Sequence, residues 1–321
     1  MDSLAGKRAV VTGGGSGMGR ELVVQLAAEG CSVATCDVSQ VGLTETLVRA
    51  EAVAPEGTRV TTHICDVSQE DQVLAFRDAV VEAHGEILEL VFNNAGIGGG
   101  GSVITDSRED WDRTFGVDWW GVYYCTRAFL PLLMAADAAR LVNTSSVNGF
   151  WASLGPGVPH TAYSTAKFAV KGFSEALIED LRTNAPHVGV SVVMPGHIGT
   201  DIVANSRRYF GRPEPDELTE TDLETTRDAL LRRGVPAADL PSDQLRGIVK
   251  MMEEGFRTAA PLSAADAATV ILDGVKAGKW RILVGDDAHR LDEQVRTDPE
   301  GAYDHAGVGI SPLGGPPAAQ P

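Results

Sequence analysis

No run of apolar residues in this chain approaches the roughly 20 needed to cross a bilayer. Nor do Lys7 and Arg8 lead into a secretory signal core; they precede a short strand-like run. A soluble, cytoplasmic protein without membrane contact is expected. Cysteine is scarce: Cys31, Cys36, Cys65 and Cys125 are the only four, no two form a CxxC pair, and each sits in an apolar segment. That pattern suits small buried thiols and argues against a disulfide framework or a zinc site. The seven histidines never fall at an HxxxH or HExxH spacing, so no metal is expected. Positive charge is short as well, with 27 Lys and Arg against 44 Asp and Glu and a net charge of −17. Such a surface repels phosphate backbones and argues against nucleic acid as a partner.

Core material and rhythm are what the chain does have. With 321 residues, 43% of them hydrophobic, it can bury a large core. Short β-branched runs at Arg8 to Thr12, Ser32 to Cys36, Arg59 to Ile64, Leu88 to Phe92, Arg140 to Thr144, Val188 to Val193 and Arg281 to Val284 read as strands. Amphipathic stretches at Gly17 to Glu29, Thr44 to Val53, Glu70 to His84, Arg108 to Ala135 and Ala162 to Thr183 read as helices, with Pro131 a candidate break in the fourth. Ser263 suits an N-cap before a further helix. This alternation predicts an α/β fold, a doubly wound parallel sheet of about seven strands with helices on both faces, in a single domain over 1–310. Residues 201–262, rich in proline and acids, break the rhythm and read as a substrate-binding insertion or lid. The Pro/Gly-rich stretch 311–321 reads as a mobile tail.

Directly after the first strand, Thr12-Gly-Gly-Gly-Ser-Gly-Met-Gly19 opens into a helix. Glycines there let the backbone approach a pyrophosphate, whose charge the helix N-terminus stabilises, so Gly13, Ser16, Gly17, Met18 and Gly19 are candidate cofactor residues. Asp37 ends the second strand, 18 residues after Gly19, where its carboxylate can accept hydrogen bonds from a ribose. A 2′-phosphate about 4 Å away would be repelled by roughly 4 kcal/mol at an effective dielectric of 20. Neither Ser16 nor Val38 brings a compensating cation, so NAD is expected rather than NADP. Asp66 and Val67 suit the adenine end, although Asp66-Val-Ser68 is equally an ordinary turn before a helix. Asn93-Asn-Ala-Gly96 follows the fourth strand, where open α/β sheets bind ligands, which adds Asn94, Ala95 and Gly96.

Tyr163 and Lys167 are four apart and share one face of a helix. A phenol must lose about three pKa units, roughly 4 kcal/mol, to act near neutrality. An ammonium about 4 Å away offers a contribution of that order. Together the residues resemble the short-chain dehydrogenase/reductase family. Thr12-Gly-x-x-x-Gly-x-Gly19, Asn93-Asn-Ala-Gly96, a serine in Asn143-Thr-Ser-Ser146, Tyr163-x-x-x-Lys167 and Pro195-Gly196 occur in the family's order, over about residues 5–200 and again, weakly, over 263–285. The resemblance implies a Rossmann-type fold and an NAD-dependent oxidoreductase that interconverts a secondary alcohol and its ketone. It implies Tyr163 as general base or acid, Lys167 as the group that lowers its pKa and holds the nicotinamide ribose, and Ser146 as the hydrogen-bonding partner of the substrate oxygen. Ser145 is the register alternative. It further implies Pro195, Gly196, Ile198 and Thr200 as the nicotinamide cap, and a homodimer or homotetramer. Trp119, Trp120, Tyr123 and Tyr124 then read as core and dimer contact. A dehydratase or epimerase on the same site, or a nucleotide-sensing protein without catalysis, are the other readings.

Two departures from the family pattern stand out. Asp118 occupies a position that is usually asparagine; an ionised carboxylate cannot donate a hydrogen bond and offsets part of the pull of Lys167 on Tyr163. An altered water relay and a higher working pH are therefore expected. The interval from Ser146 to Tyr163 is 17 residues, longer than usual, and Phe150 to Pro159 absorbs the excess. This puts Phe150, Trp151 and Leu154 in the substrate wall, with His197 also within reach of a substrate. Val203, Tyr209, Phe210, Met251, Met252 and Phe256 add apolar surface, so the expected substrate is bulky and apolar. Arg207-Arg208 leaves an anionic substrate open, although a charged pair in a loop is usually solvated, and the acids from Glu214 to Glu224 read as an exposed helix face.

Overall fold

The β-branched runs pair into one parallel sheet of seven strands: β1 (Arg8–Thr12), β2 (Ser32–Asp37), β3 (Val60–Ile64), β4 (Leu90–Asn93), β5 (Ala139–Thr144), β6 (Val188–Pro195) and, late in the chain, the strand Arg281–Val284. The computed structural model describes residues 1, 3–99, 101–155, 158–232 and 234–304; the tail expected at 311–321 lies outside the described residues. Two short strands, β7 (Ile198–Gly199) and β8 (Leu262–Ser263), pair separately, which makes Arg281–Val284 β9. The order across the sheet is β3-β2-β1-β4-β5-β6-β9. Central strands of this kind are buried on both faces and so read as continuous apolar runs. Successive residues point to opposite sides: Val10, Val91 and Leu141 enter one core with Phe76, Phe129 and Leu181, while Val11, Phe92 and Val142 enter the other with Leu22, Leu26 and Ile271.

Helices α1 (Gly17–Ala28), α2 (Gln40–Glu51) and α3 (Glu70–His84) connect the first four strands. The following helical stretch is α4 (Arg108–Phe115), a wide π-type turn over Gly116–Trp120, and α5 (Gly121–Met134). The expected break at Pro131 does not occur. Pro131 sits in the last turn of α5, which continues unbroken to Met134, and the irregularity falls instead at Gly116–Trp120. Helix α6 (Thr161–Asn184) carries the Tyr-Lys pair.

The stretch 201–262 folds into α7 (Ile202–Tyr209), whose end packs on the main core through Tyr209 and Phe210, and into α8 (Glu220–Arg232) and α9 (Ser242–Thr258), which share a small core of Leu223, Leu230, Ala237 and Leu245. The β7–β8 pairing, Ile198 to Leu262 and Gly199 to Ser263, brings its two ends together. Ser263 caps α10 (Ala264–Lys276) by accepting from the Asp266 N–H. After β9 comes α11 (Asp286–Thr297), which the sequence pattern did not single out. Strand order reverses between β1 and β4, and the crevice at that switch point is where the candidate residues gather. Among the described residues all four cysteines are buried and free, no helix is long and apolar enough to cross a membrane, and no cluster of three or more His, Cys, Asp or Glu could hold a metal ion.

Candidate active site

The glycine loop and the loop after β4 meet at close quarters. Gly13 has φ +72°, and a Cβ there would lie 2.7 Å from the Ala95 Cα; one at Gly19 would lie 2.1 Å from the Gly13 oxygen. Only glycine fits either place. Thr12 Oγ1 accepts from the N–H groups of Asn94 and Ala95, and Asn94 Nδ2 donates to the Thr12 carbonyl, each at 3.0 Å. Asn94 Oδ1 is buried without a partner, and α1 begins behind Ser16 with no side chain capping its first turn. Free helix N–H groups and an open amide oxygen fit a dinucleotide with an anionic bridge. Thr200 stands against Gly17, and Met18 packs on the core beneath.

Asp37 lies at the mouth of this loop, with Oδ2 accepting from Gly15 N–H and Oδ1 from Ser39 N–H, both at 2.9 Å. Beside it, Val38 is exposed. Sequence reasoning missed Arg20, which donates to the Gly15 carbonyl at 2.5 Å and pairs with Glu45 at 2.7 Å. Its position one residue after Gly19 was the available signal, but only the fold reveals that Glu45 offsets its charge. Asp66 Oδ1 accepts from Ser68 N–H at 2.9 Å, in the turn that was one of its two sequence readings, and Oδ2 accepts from the Tyr209 hydroxyl at 3.1 Å.

A polar network holds the second half of the site. Asn93 Nδ2 donates to Asn143 Oδ1 at 2.8 Å, Asn143 Nδ2 donates to Ser174 Oγ at 3.0 Å, and Ser145 Oγ donates to the Lys167 carbonyl at 2.7 Å, so β4, β5 and α6 are fixed to one another. Ser145 is thereby committed to the scaffold. Ser146, whose Oγ accepts from Asn148 N–H, turns toward Tyr163. Lys167 is buried; its Nζ donates to the Thr144 carbonyl at 3.2 Å, lies 3.1 Å from Asp118 Oδ1 and sits 5.4 Å from the centre of the Tyr163 ring. The π-type turn delivers Asp118 to this spot, where Oδ1 also accepts from Ile97 N–H and Oδ2 has no partner. Gly96 leaves the room: a Cβ there would be 2.8 Å from Asp118 Oδ1.

Burial pushes the Tyr163 phenol up; Lys167 pulls it back, Asp118 pushes it up again, Ser146 lowers it, and the net direction is upward. Burial works against the charge of Lys167, but Asp118 and Tyr163 more than restore it, leaving its pKa above the usual lysine value. Asp118 itself is raised by burial against the opposing pull of Lys167. His160 stacks on the Tyr163 ring, centroids 4.5 Å apart, and burial lowers its pKa to about 4.

Three expected substrate contacts have partners of their own in the packing, and for Trp151 this corrects the expectation. Trp151 is fully buried with Val147, Ala288, Leu291 and Ala302, and its Nε1 donates to the Ala302 carbonyl at 2.8 Å. Phe150 packs on the same cluster under the Arg281 guanidinium. Trp151 is therefore sealed away from the crevice, because α11 and the segment after it offer it an apolar partner, while Phe150 stays half-buried. Gly196 follows β6, and His197 is tied down beside it, with its N–H donating to Asp287, its ring against Phe256 and Nε2 at 2.7 Å from the Phe256 carbonyl. Leu154 stays half-buried, and Ile198 packs into the core next to β8. Arg207 is not solvated: it pairs with Glu214 at 2.9 Å and Glu253 at 3.0 Å, and Arg208 also pairs with Glu214.

A family model described as short chain dehydrogenase matches residues 7–209. SadH of Mycobacterium tuberculosis, an oxidoreductase by its name, is 35% identical over 296 residues, 92% of each chain. A crystal structure of a short chain dehydrogenase/reductase from Burkholderia phymatum in complex with NAD is 32% identical, with a TM-score of 0.72 over 94% of this chain and 95% of that one. A metagenomic short-chain oxidoreductase in complex with NADP is also 32% identical, with a TM-score of 0.53 over 60% of this chain and 83% of that one. Both forms of the cofactor thus occur among structural relatives. The chain belongs to the short chain dehydrogenase family of oxidoreductases.

Proposed function

We propose that the protein is an NAD-dependent oxidoreductase that interconverts a bulky, apolar secondary alcohol and its ketone. A bound nicotinamide dinucleotide supplies the hydride donor or acceptor. The chain does the rest. Tyr163 exchanges a proton with the substrate oxygen, Ser146 hydrogen-bonds that oxygen, and Lys167 stabilises the phenolate. Asp118 positions Lys167 and keeps it charged. The observation that carries this reading is the buried Lys167 ammonium, held between Asp118 and the Thr144 carbonyl with the Tyr163 ring beside it.

Asp37 supports NAD over NADP, because it is the carboxylate at the glycine loop and Arg20, the nearby cation, is already paired with Glu45. The lid of α7 to α9 supplies the substrate side, with Leu154 and Val203 as available apolar groups. The π-type turn before α5 leaves Trp120 43% exposed and α6 leaves Phe168 41% exposed, which supports assembly into at least a dimer through this face.

Absorbance of the reduced nicotinamide, followed over a panel of secondary alcohols with NAD and NADP in parallel, tests the reading. Turnover with NAD is expected, and Tyr163→Phe should lower kcat by about 10³-fold while NADH binding survives. Turnover with NADP alone would overturn the role given to Asp37. Unchanged turnover in Tyr163→Phe would overturn the chemistry.

A further inference from the structure

Helix α7 runs along the nucleotide crevice and touches it at three points. Asn205 Nδ2 donates to Ser16 Oγ in the glycine loop at 3.0 Å. Ser206 Oγ accepts from Gly98 N–H, past the Asn-Asn-Ala-Gly turn, at 2.7 Å. Tyr209 OH donates to Asp66 Oδ2, after β3, at 3.1 Å, with Ser68 Oγ 3.5 Å from the same hydroxyl. Positions 205, 206 and 209 share one side of a helix, so a single face of α7 reaches the loops after β1, β4 and β3. Behind it, Arg207 is anchored to Glu214 and Glu253. Next to Tyr209, Phe210 is buried against Gly99.

The Tyr209 contact differs from the other two in its chemistry. A hydroxyl donating to a carboxylate is the stronger, charge-assisted kind of hydrogen bond. It also meets an acid whose other oxygen is already fixed by Ser68 N–H, so the carboxylate cannot swing away. A cleft lined by Asp66, Ser68, Gly116 and Tyr209 opens beside the contact.

We propose that Tyr209 is a cofactor-retaining positioning residue: by bonding Asp66 it closes α7 over the adenine end of the bound dinucleotide, and release requires that bond to break. The proposal rests on the reading of the crevice as the cofactor site. A competitor role would have the opposite sign, since a tyrosine that merely occupied Asp66 in place of adenine would weaken binding and its removal would tighten it.

The experiment uses the full chain and NADH fluorescence, with dissociation followed by stopped-flow chase. Tyr209→Phe is expected to raise the NADH dissociation rate by about tenfold with the association rate nearly unchanged. Reduced nicotinamide mononucleotide, which lacks the adenine end, should bind both proteins equally. A dissociation rate equal to that of the unaltered protein, tighter binding, or an equal loss for the mononucleotide would each overturn the proposal. Should Tyr209→Phe fail to fold, backbone hydrogen exchange over residues 202–209 of the unaltered protein decides: slowing on NADH addition supports the clasp, and no change refutes it. Failure of the unaltered protein to bind NADH or NADPH would instead refute the cofactor reading, and is seen before any variant is made.

Discussion

Asp118 and Lys167 form a fully buried ion pair beside a tyrosine, and the sign of each influence on that tyrosine can be tested. Asp118 pushes the Tyr163 phenol up. Asp118→Asn removes that push, so the acidic limb of the alcohol-oxidation rate profile should move to lower pH; an unmoved limb would show that Asp118 does not act on Tyr163. The amide still accepts from Ile97 N–H and Lys167, whereas Asp118→Ala strands a buried ammonium and should cost about 3–5 kcal/mol in denaturant unfolding. His160 gives a second pH signature. Its pKa is about 4 when folded and near 6.5 when unfolded, so the unfolded chain binds its proton more readily. The associated stability is present above pH 6.5 and drains away as pH falls toward 4. His160→Phe keeps the stack on Tyr163 and should flatten the urea-unfolding midpoint across that window. Some slope will remain, because His84 is also lowered to about 4, first by burial and then by Arg59 and neighbouring positive groups.

Helices α8 and α9, part of the proposed lid, have a small core of their own. Leu223, Leu230, Ala237 and Leu245 pack with one another, apart from the two cores that sandwich the sheet. Leu245→Ala should therefore speed hydrogen exchange in α8 and α9 while leaving β1, β4 and β5 protected. Loss of protection in the sheet as well would mean the lid is part of the global unfolding unit. The same separation explains what the sequence could and could not reveal. Buried parallel strands such as Arg8–Thr12 and Arg281–Val284 were legible to the residue, because apolar runs bounded by turn residues admit few alternatives. The glycine loop and the Tyr-Lys helix were legible because their chemistry is local. Trp151 was misplaced because its partner, Ala302, lies over a hundred residues away and leaves no trace in local pattern. Tyr209 was read as apolar lining for the same reason: its hydroxyl is assigned by Asp66, which only the folded chain brings near.

At the scale of the whole molecule, the aromatic face formed by the π-type turn, α5 and α6 makes a prediction about mass. Trp120 stacks on Tyr124 and stands edge-on to Tyr123, and Trp119 meets Phe173 across the two helices. Light scattering should report at least a dimer, and Trp120→Glu should shift it toward monomer without unfolding the sheet. A monomeric unaltered protein would leave that face without the partner proposed for it. The paired β7 and β8 have a different consequence. Because Ile198 meets Leu262 and Gly199 meets Ser263, the whole 201–261 segment leaves and re-enters the scaffold at one doorway. The entropy of closing such a loop grows only slowly with its length, by about 0.6 kcal/mol per doubling. The segment is therefore a cassette. Lids of different length could be spliced between Thr200 and Leu262 with the sheet, the glycine loop and the Tyr-Lys helix left in place, which gives this scaffold an inexpensive route to new substrates.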